Sequence, residues 1–482
     1  MSPASITVNG RLHSLAGVDP HTTVLEFLRE RGMIGSKEGC AEGECGACAV
    51  VVVRPDAPET SRYVPVNGCL LLVGAIAGGE LLSVEGLRPR PGELHPVQRA
   101  MVERGGSQCG YCTPGFVASL FAEYYRERSV DAPADLEAIA GNLCRCTGYR
   151  PIREVLEQIS AQRPEADDRF RLRLAEASPP LAAIEQVVGE HRLIRPGSLA
   201  EALELLAAAP QAKLIAGGTD VVVEINQRFT RWPLLLSLDA LAELRTIVRE
   251  PDVIDIGAAV PLAQLERELA GELPLLDELW PLFSSRLIRN RATLGGNLAN
   301  GSPIGDGPPV LLALDAALTL QSKAGSRSVP IAEFFLGYRK TLLAPGELIS
   351  RIRVPRRRPT HAHFYKVSKR VLDDISTVAA ALAIDLDQAG LVTRARLAFG
   401  GVAATPARAH AAEDALLGQA WNEATLAKIV PLAVQSFTPM TDHRGSGDYR
   451  RAMIGRLLEK FLAETRAGRR IGPQPAHAQV QP

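Results

Sequence analysis

All eight cysteines of this chain fall before residue 147, in two sets. Cys40, Cys45, Cys48 and Cys69 are spaced C-x4-C-x2-C-x20-C. Cys109 and Cys112 form a C-x2-C pair, and Cys144 and Cys146 a C-x-C pair, with 31 residues between the two. Cysteines used as small core residues would not segregate in this way. The first spacing is that of a plant-type [2Fe-2S] site. Such a cluster needs four thiolates and backbone N–H groups aimed at sulfur, and Gly43, Gly46 and Ala47 are small enough to let the chain wrap closely. Disulfides also fit an even cysteine count. Against them, the first residues show no secretory signal and the chain is too large to need stapling. Zinc competes more strongly, because C-x2-C is also a zinc half-site; the tight Cys144-Arg145-Cys146 pair and the ferredoxin-like first quartet weigh against it.

A second group of residues has the chemistry of phosphate contact. Gly217-Gly218 and Gly295-Gly296 are double-glycine turns beside hydroxyl or amide side chains, and their backbone N–H groups can cradle a pyrophosphate with help from Thr219 and Asn297. Each is weak alone, since a Gly-Gly turn after a strand is usually just a turn. Asp306 fits a ribose hydroxyl or a turn cap, and Phe283 fits a stacking ring or a core position. No G-x-G-x-x-G or Walker motif occurs. The two groups nevertheless fit together: [2Fe-2S] clusters move single electrons, a nicotinamide takes a hydride, and a flavin exchanges electrons with both.

The elements that must hold these residues follow from periodicity. Residues 1–85 read as a ferredoxin-like β-grasp domain: an Asn9-Gly10 hairpin, a helix over Thr23–Arg31, the cysteine loop, and a buried strand at Ala49–Val53. Residues 86–165 read as a four-helix domain with the second cysteine set at its joints; Thr113-Pro114 is a helix start. Residues 166–189 are polar, with Ser178-Pro179-Pro180, and read as a linker. Residues 190–356 alternate helices and strands, with Ser198 capping Leu199–Ala208 and strands at Lys213–Ala216, Leu234–Leu238 and Val253–Gly257. Residues 357–467 form a C-terminal α+β domain with strands at Ser376–Leu386 and Leu391–Phe399 and a helix over Tyr449–Glu464. Residues 468–482 read as a disordered tail.

Together, Cys40-x4-Cys45-x2-Cys48, Gln108-Cys-Gly-Tyr-Cys-Thr-Pro-Gly, Cys144-Arg-Cys-Thr-Gly-Tyr, Leu214-Ile-Ala-Gly-Gly-Thr-Asp and Thr293-Leu-Gly-Gly-Asn-x8-Asp306 resemble the molybdenum hydroxylases, and among them the small subunits of bacterial xanthine dehydrogenases. The resemblance spans residues 5–465. It implies an α+β multidomain chain whose FAD-binding domain is two-part α/β, of the vanillyl-alcohol-oxidase-like (PCMH) type. It implies two [2Fe-2S] clusters on the eight cysteines. It implies FAD bound by Lys213, Leu214, Ile215, Ala216, Gly217, Gly218, Thr219 and Asp220, by Thr293, Leu294, Gly295, Gly296 and Asn297, and by Asp306, Phe283, Ile349 and Lys366. Tyr338 is implied near a nicotinamide, with NAD+ as acceptor, and Gln108 at the pterin of a molybdenum cofactor on a partner. Leu372, before Asp373-Asp374, departs from the acidic residue common in the eukaryotic enzymes. No molybdenum domain follows residue 467, so the resemblance implies a large molybdenum-cofactor subunit and an α2β2 heterotetramer. The implied reaction oxidises xanthine or hypoxanthine on that subunit, and no side chain of this chain is expected to be a catalytic acid or base.

Composition is compatible with this. The 482 residues carry 54 basic and 54 acidic side chains and 46% hydrophobic residues, so the cores can be well filled and no charge excess points to nucleic acid. No apolar run approaches the ~18 residues of a membrane span. Thiols reserved for metal make the cytoplasm the expected compartment.

Overall fold

The computed structural model describes residues 4–90, 92–129 and 132–471. The chain forms two compact units: Met1–Ala202 with Gln211–Leu241 and Ser285–Ala292, and Leu203–Pro210 with Ala242–Ser284 and Thr293–Pro482.

The first unit begins with strands β1 (Ser5–Val8) and β2 (Arg11–Ser14), then helix α1 (Val24–Glu30), β3 (Ala49–Ala57), β4 (Thr60–Asn67) and β5 (Glu80–Leu82). The sheet runs β2-β1-β5-β3-β4, with β1 parallel to β5. Asn9 and Gly10 both take positive φ, 51° and 78°, the twist a two-residue hairpin demands. Thr23 and Glu26 close a capping box at the start of α1, which satisfies two otherwise unpaired N–H groups.

The continuous apolar run Ala49–Val53 is explained by burial on both faces. Val50 and Val52 pack with Ile6, Phe27 and Leu28. Ala49, Val51 and Val53 pack with Phe116, Phe121 and Ile152 of the helical domain. Each buried valine contributes roughly 1.5–3 kcal/mol. The helical domain consists of α2 (Pro96–Glu103), α3 (Thr113–Tyr124), a 3-10 turn at Leu136–Ile139 and α4 (Arg150–Ser160). Residues Gly115–Tyr124 of α3 are all buried, because other elements cover it on every side.

The stretch 166–189, expected as a linker, is more than a bare connection. It carries α5 (Arg169–Leu174) and β6 (Ile184–Val188). Phe170 is buried, its carbonyl accepts from the Tyr63 hydroxyl at 3.0 Å, and Arg173 pairs with Glu80 at 2.8 Å. One buried apolar side chain between arginines, with its partners far away in sequence, is invisible to periodicity. The unit ends in a four-stranded sheet made of β6, β7 (His191–Arg195), β9 (Leu234–Ser237) and β8 (Lys213–Ile215), in that order, with α6 (Leu199–Ala208) and α7 (Val221–Arg228) between strands in the chain. β7, β9 and β8 are parallel. Ser198 accepts from Glu201 N and caps α6.

The second unit contains an antiparallel sheet ordered β10 (Ile247–Arg249), β11 (Val253–Gly257), β16 (Leu348–Pro355), β12 (Ala317–Ser322), β13 (Gly325–Pro330), with a small hairpin β14 (Phe335–Gly337)–β15 (Lys340–Thr341). A further sheet runs β17 (His361–Val367), β18 (Val378–Leu386), β19 (Val392–Gly400), β20 (Ala407–Arg408). One face of β18, Val378, Ala380, Leu382 and Ile384, packs with Ile454, Leu458 and Phe461 of the helix Gly447–Ala467. Its other face is alanine, and Gly400, opposite Ala379, comes close to Pro309 of the helix Gly307–Ala313. Small residues there let that helix, and Asp306 before it, lie against the sheet. Past Gly468, Ile471 N donates to Glu464 at 2.7 Å. The rest of the expected disordered tail, 472–482, lies outside the described residues. Among the described residues no helix is long and apolar enough to cross a membrane.

Candidate functional site

The cysteine loops are held by short-range geometry. Gly43 and Gly46 take positive φ, 91° and 65°, as the tight wrap requires. In the first quartet Cys45 N donates to the Cys40 sulfur at 3.4 Å, and the Cys48 thiol donates to Asn67 Oδ1 at 3.8 Å. In the second, the Thr147 hydroxyl donates to the Cys144 sulfur at 3.1 Å.

The Cys40 thiol is held down to about 5, first by the hydrogen bond from Cys45 and then by backbone N–H groups of Glu42, Cys45 and Glu44, against burial. Burial pushes Cys112 up to about 12. Burial also opposes ionisation of Cys144, but donors from Thr147 and Cys146 bring it below the ordinary thiol range. Cys48 and Cys69 are buried, whereas Cys109 and Cys146 are exposed, as is Gln108 beside them.

The two loops interlock. Leu143 N donates to Cys45 O at 2.9 Å, and Asn142 Nδ2 to Gly46 O at 3.0 Å. A Cβ on Gly46 would lie 2.2 Å from Gly141 O, and one on Gly115 2.1 Å from Gly46 O. The Tyr111 hydroxyl donates to Glu38 O. Leu143 precedes Cys144, so one hydrogen bond joins the backbones of the two cysteine sets.

The expected flavin residues divide between the units. In the first, Lys213, Leu214 and Ile215 form β8, and Lys213 Nζ lies 4.9 Å from the centre of the Trp232 ring. Ala216, Gly217, Gly218 and Thr219 turn the chain to Asp220, the N-cap of α7. Sequence reasoning gave Arg291 no role, yet its buried guanidinium organises this turn. It donates to Gly217 O and Ala216 O and forms a two-pronged pair with Asp239, both contacts at 2.9 Å. A Cβ on Gly217 would lie 2.0 Å from Arg291 O, and one on Gly218, at φ 81°, would lie 3.2 Å from Leu70 O. The turn therefore abuts the residue that follows Cys69.

In the second unit, Thr293 caps the helix Leu294–Ala299 by accepting from Gly296 N at 3.0 Å. Gly295 lies against Ala258, where a Cβ would meet the carbonyl at 2.5 Å. Asn297 Oδ1 is buried without a hydrogen-bond partner, an acceptor of the kind a bound polar group would satisfy. Lys366 Nζ donates to Leu282 O, next to Phe283, and to Asp306 at 2.8 Å; Ser376 Oγ donates to the other oxygen of Asp306. Ile349 is buried in β16, beside Ser350, whose carbonyl accepts from Ala258 N. Phe283, Thr293–Asn297, Asp306, Ile349 and Lys366 are thus linked through near neighbours within this unit. Tyr338 is exposed on the β14–β15 hairpin.

Asp19, His21 and His191 also bring ligand atoms within 4.8 Å of one another. His21 Nε2 accepts from Trp232 N at 3.0 Å, so its proton sits on Nδ1, facing Asp19. His191 Nδ1 meets the other Asp19 oxygen at 2.7 Å. With Nδ1 protonated, His21 offers no lone pair to a cation, and the trio is a hydrogen-bonded clasp between the N-terminal sheet domain and β7.

Four family models match. They are described as 2Fe-2S iron-sulfur cluster binding domain over residues 6–73, [2Fe-2S] binding domain over 83–157, FAD binding domain in molybdopterin dehydrogenase over 188–357, and CO dehydrogenase flavoprotein C-terminal domain over 363–465. Xanthine dehydrogenase of Drosophila subobscura is 33% identical, matching 95% of this chain and 39% of its own length. That of Emericella nidulans is 33% identical over 89% of this chain and 36% of its own. The chain thus spans under two fifths to about two fifths of these relatives. Among solved structures, carbon monoxide dehydrogenase from Hydrogenophaga pseudoflava is 33% identical with a TM-score of 0.55, covering 58% of this chain and 99% of that one. Quinoline 2-oxidoreductase from Pseudomonas putida 86 is 30% identical with a TM-score of 0.53, covering 57% and 96%. With consecutive iron–sulfur and flavin domain matches and near-complete coverage of those solved chains, the chain belongs to the molybdenum hydroxylase family.

Proposed function

We propose that this chain is the iron–sulfur and flavin part of a xanthine dehydrogenase. Its clusters and FAD, when bound, carry electrons from xanthine or hypoxanthine, oxidised at a molybdenum cofactor on a large partner subunit, to NAD+. Cys109, Cys112, Cys144 and Cys146 hold the cluster on the partner's side, and Cys40, Cys45, Cys48 and Cys69 the one on the flavin's side. Lys213–Asp220, Phe283, Thr293–Asn297, Asp306, Ile349 and Lys366 bind FAD. The protein's own work is positioning: the cysteine loops fix the cluster sites, and Arg291 fixes the Ala216–Gly217 turn. An α2β2 assembly in the cytoplasm accompanies this reading.

The observation that carries it is the contact from Leu143 N to Cys45 O, which ties the two cysteine sets together while the Gly217–Gly218 turn abuts Leu70. The xanthine dehydrogenase relatives support the substrate. The solved relatives, which include a carbon monoxide dehydrogenase and a quinoline oxidoreductase, keep a second reading alive: the same electron-transfer role with another substrate. A complex purified with its partner and offered xanthine, quinoline and an aldehyde separates the two readings. For the chain itself, Cys45→Ser should abolish xanthine:NAD+ turnover while leaving most NADH:dye activity. Equal loss of both, in a folded protein, rules out the linear order. A colourless, iron-free wild-type protein rules out the whole reading.

A further inference from the structure

The segment Ser285–Ala292 packs in the first unit, although the residues on either side of it in the chain belong to the second. Its contacts reach both cysteine loops and the Gly217 turn. Ser285 and Leu287 meet Gly141, on the way into the Cys144 loop: a Cβ there would lie 2.7 Å from Ser285 Oγ and 3.2 Å from Leu287 Cδ1. Ile288 meets the first cysteine loop at Gly43, where a Cβ would lie 2.8 Å from its Cδ1, and it packs against the buried group that includes Cys48 and Cys69. Arg291 holds the Gly217 turn by its carbonyl and its guanidinium. The segment is tied down between these points. Arg286 pairs with Asp135 at 2.8 Å, Arg289 with Glu137 where both are buried, and Asn290 Nδ2 donates to Pro65 O at 2.7 Å.

Three glycine backbones, one from each loop expected to hold a cofactor, are thus pressed against one short stretch of chain. Glycine leaves no side chain to cushion these contacts, so a shift in one loop is passed to the stretch directly. The stretch cannot absorb it locally, because packed side chains change between discrete arrangements and a buried ion pair is costly to break. Elements that share such a brace open together or not at all. We infer that Ser285–Ala292 is a positioning segment that couples FAD binding at the Gly217–Asp220 turn to iron retention in both cysteine loops, with Ile288 as its contact to the first. This deepens the proposed function and rests on it. FAD at the turn holds the segment, the segment holds the loops, and iron leaves them more slowly. By linkage, filled cysteine loops tighten the hold on FAD.

The test uses the full chain, isolated with its iron and stripped of flavin. It is mixed with an iron chelator, with and without saturating FAD, and the coloured chelate reports iron release. FAD binding is read separately from flavin fluorescence. In the wild type FAD should slow iron release about fivefold or more. Ile288→Ala touches no expected flavin residue and no cysteine, so it should still bind FAD. In that variant the slowing should fall to about twofold or less. The contact of Gly218 with Leu70 O is a shorter route to the first loop, and Ile288→Ala leaves it in place. A slowing unchanged in Ile288→Ala therefore overturns the inference. So does wild-type protein that binds FAD yet releases iron at the same rate with and without it; the functional reading then stands. Should Ile288→Ala lose its iron before the assay, Ile288→Val decides instead: a smaller slowing than in the wild type is expected, and an equal one overturns the inference. A wild-type chain that holds no iron or binds no FAD removes functional reading and inference together.

Discussion

His95 is fully buried, with aromatic rings of Phe121, Tyr124 and Phe170 around it. Its Nδ1 accepts from Val97 N at 3.2 Å and caps α2, so the proton lies on Nε2, which faces the Tyr125 hydroxyl at 2.9 Å. Burial holds this imidazole down at about 4. The unfolded chain takes up the proton first as pH falls below ~6.5, so the stability present above that pH is lost progressively toward pH 4. By pH 5 the loss is about 2 kcal/mol, from 1.5 pH units at 1.36 kcal/mol each. Thermal unfolding at pH 7 and pH 5 should show a steeper fall for the wild type than for His95→Gln; equal slopes would refute this. Lys366 gives a second prediction at this scale. Lys366→Met leaves the buried Asp306 carboxylate with Ser376 alone, and breaking such a pair costs about 3–5 kcal/mol. A lowered melting temperature together with weaker FAD retention is expected. Neither residue announces itself equally in sequence: Lys366 is implied only by family resemblance, and nothing around His95 sets it apart from a surface histidine.

Among the elements, the junction between the cysteine loops is the most sharply constrained. Gly115 lies in the first turn of α3, and an alanine there would drive its Cβ into Gly46 O. Neither side can retreat easily: Gly46 O also accepts from Asn142, and α3 is buried from Gly115 to Tyr124. Gly115→Ala should cost about 1–3 kcal/mol and lower the iron content of both cluster sites, measured by metal analysis and thermal unfolding. Normal iron and an unchanged melting temperature would show that the loops are not coupled. Local signals were legible here. Asn9-Gly10 and Thr113-Pro114 each mark an element end through chemistry confined to a few residues. The stretch 166–189 shows the limit of that reading. Its helix owes its place to Phe170 and Arg173 meeting partners more than ninety positions away in the chain.

At the scale of the molecule, residues expected to bind FAD occur in both units, each set organised by its own neighbours. A flavin-free chain should therefore gain stability with added FAD in proportion to the logarithm of its concentration. The gain is about 2.7 kcal/mol at one hundred times Kd. A melting temperature indifferent to FAD would contradict the proposed binding residues.

The amino-acid sequence alone determined that the eight cysteines fall into two spaced sets and that two glycine turns stand beside hydroxyl and amide groups, because spacing within a loop is a local property of the chain. It also determined, through periodicity and end signals, a part of the strands and helices, among them the Asn9-Gly10 hairpin, α1, α3 and the strand after the first cysteine loop. Only the tertiary structure decided that Leu143 meets Cys45 and that Arg291 braces the Gly217 turn. Those contacts join segments more than seventy residues apart in the chain. Their existence depends on how two faces pack, and no local pattern of residue types encodes that.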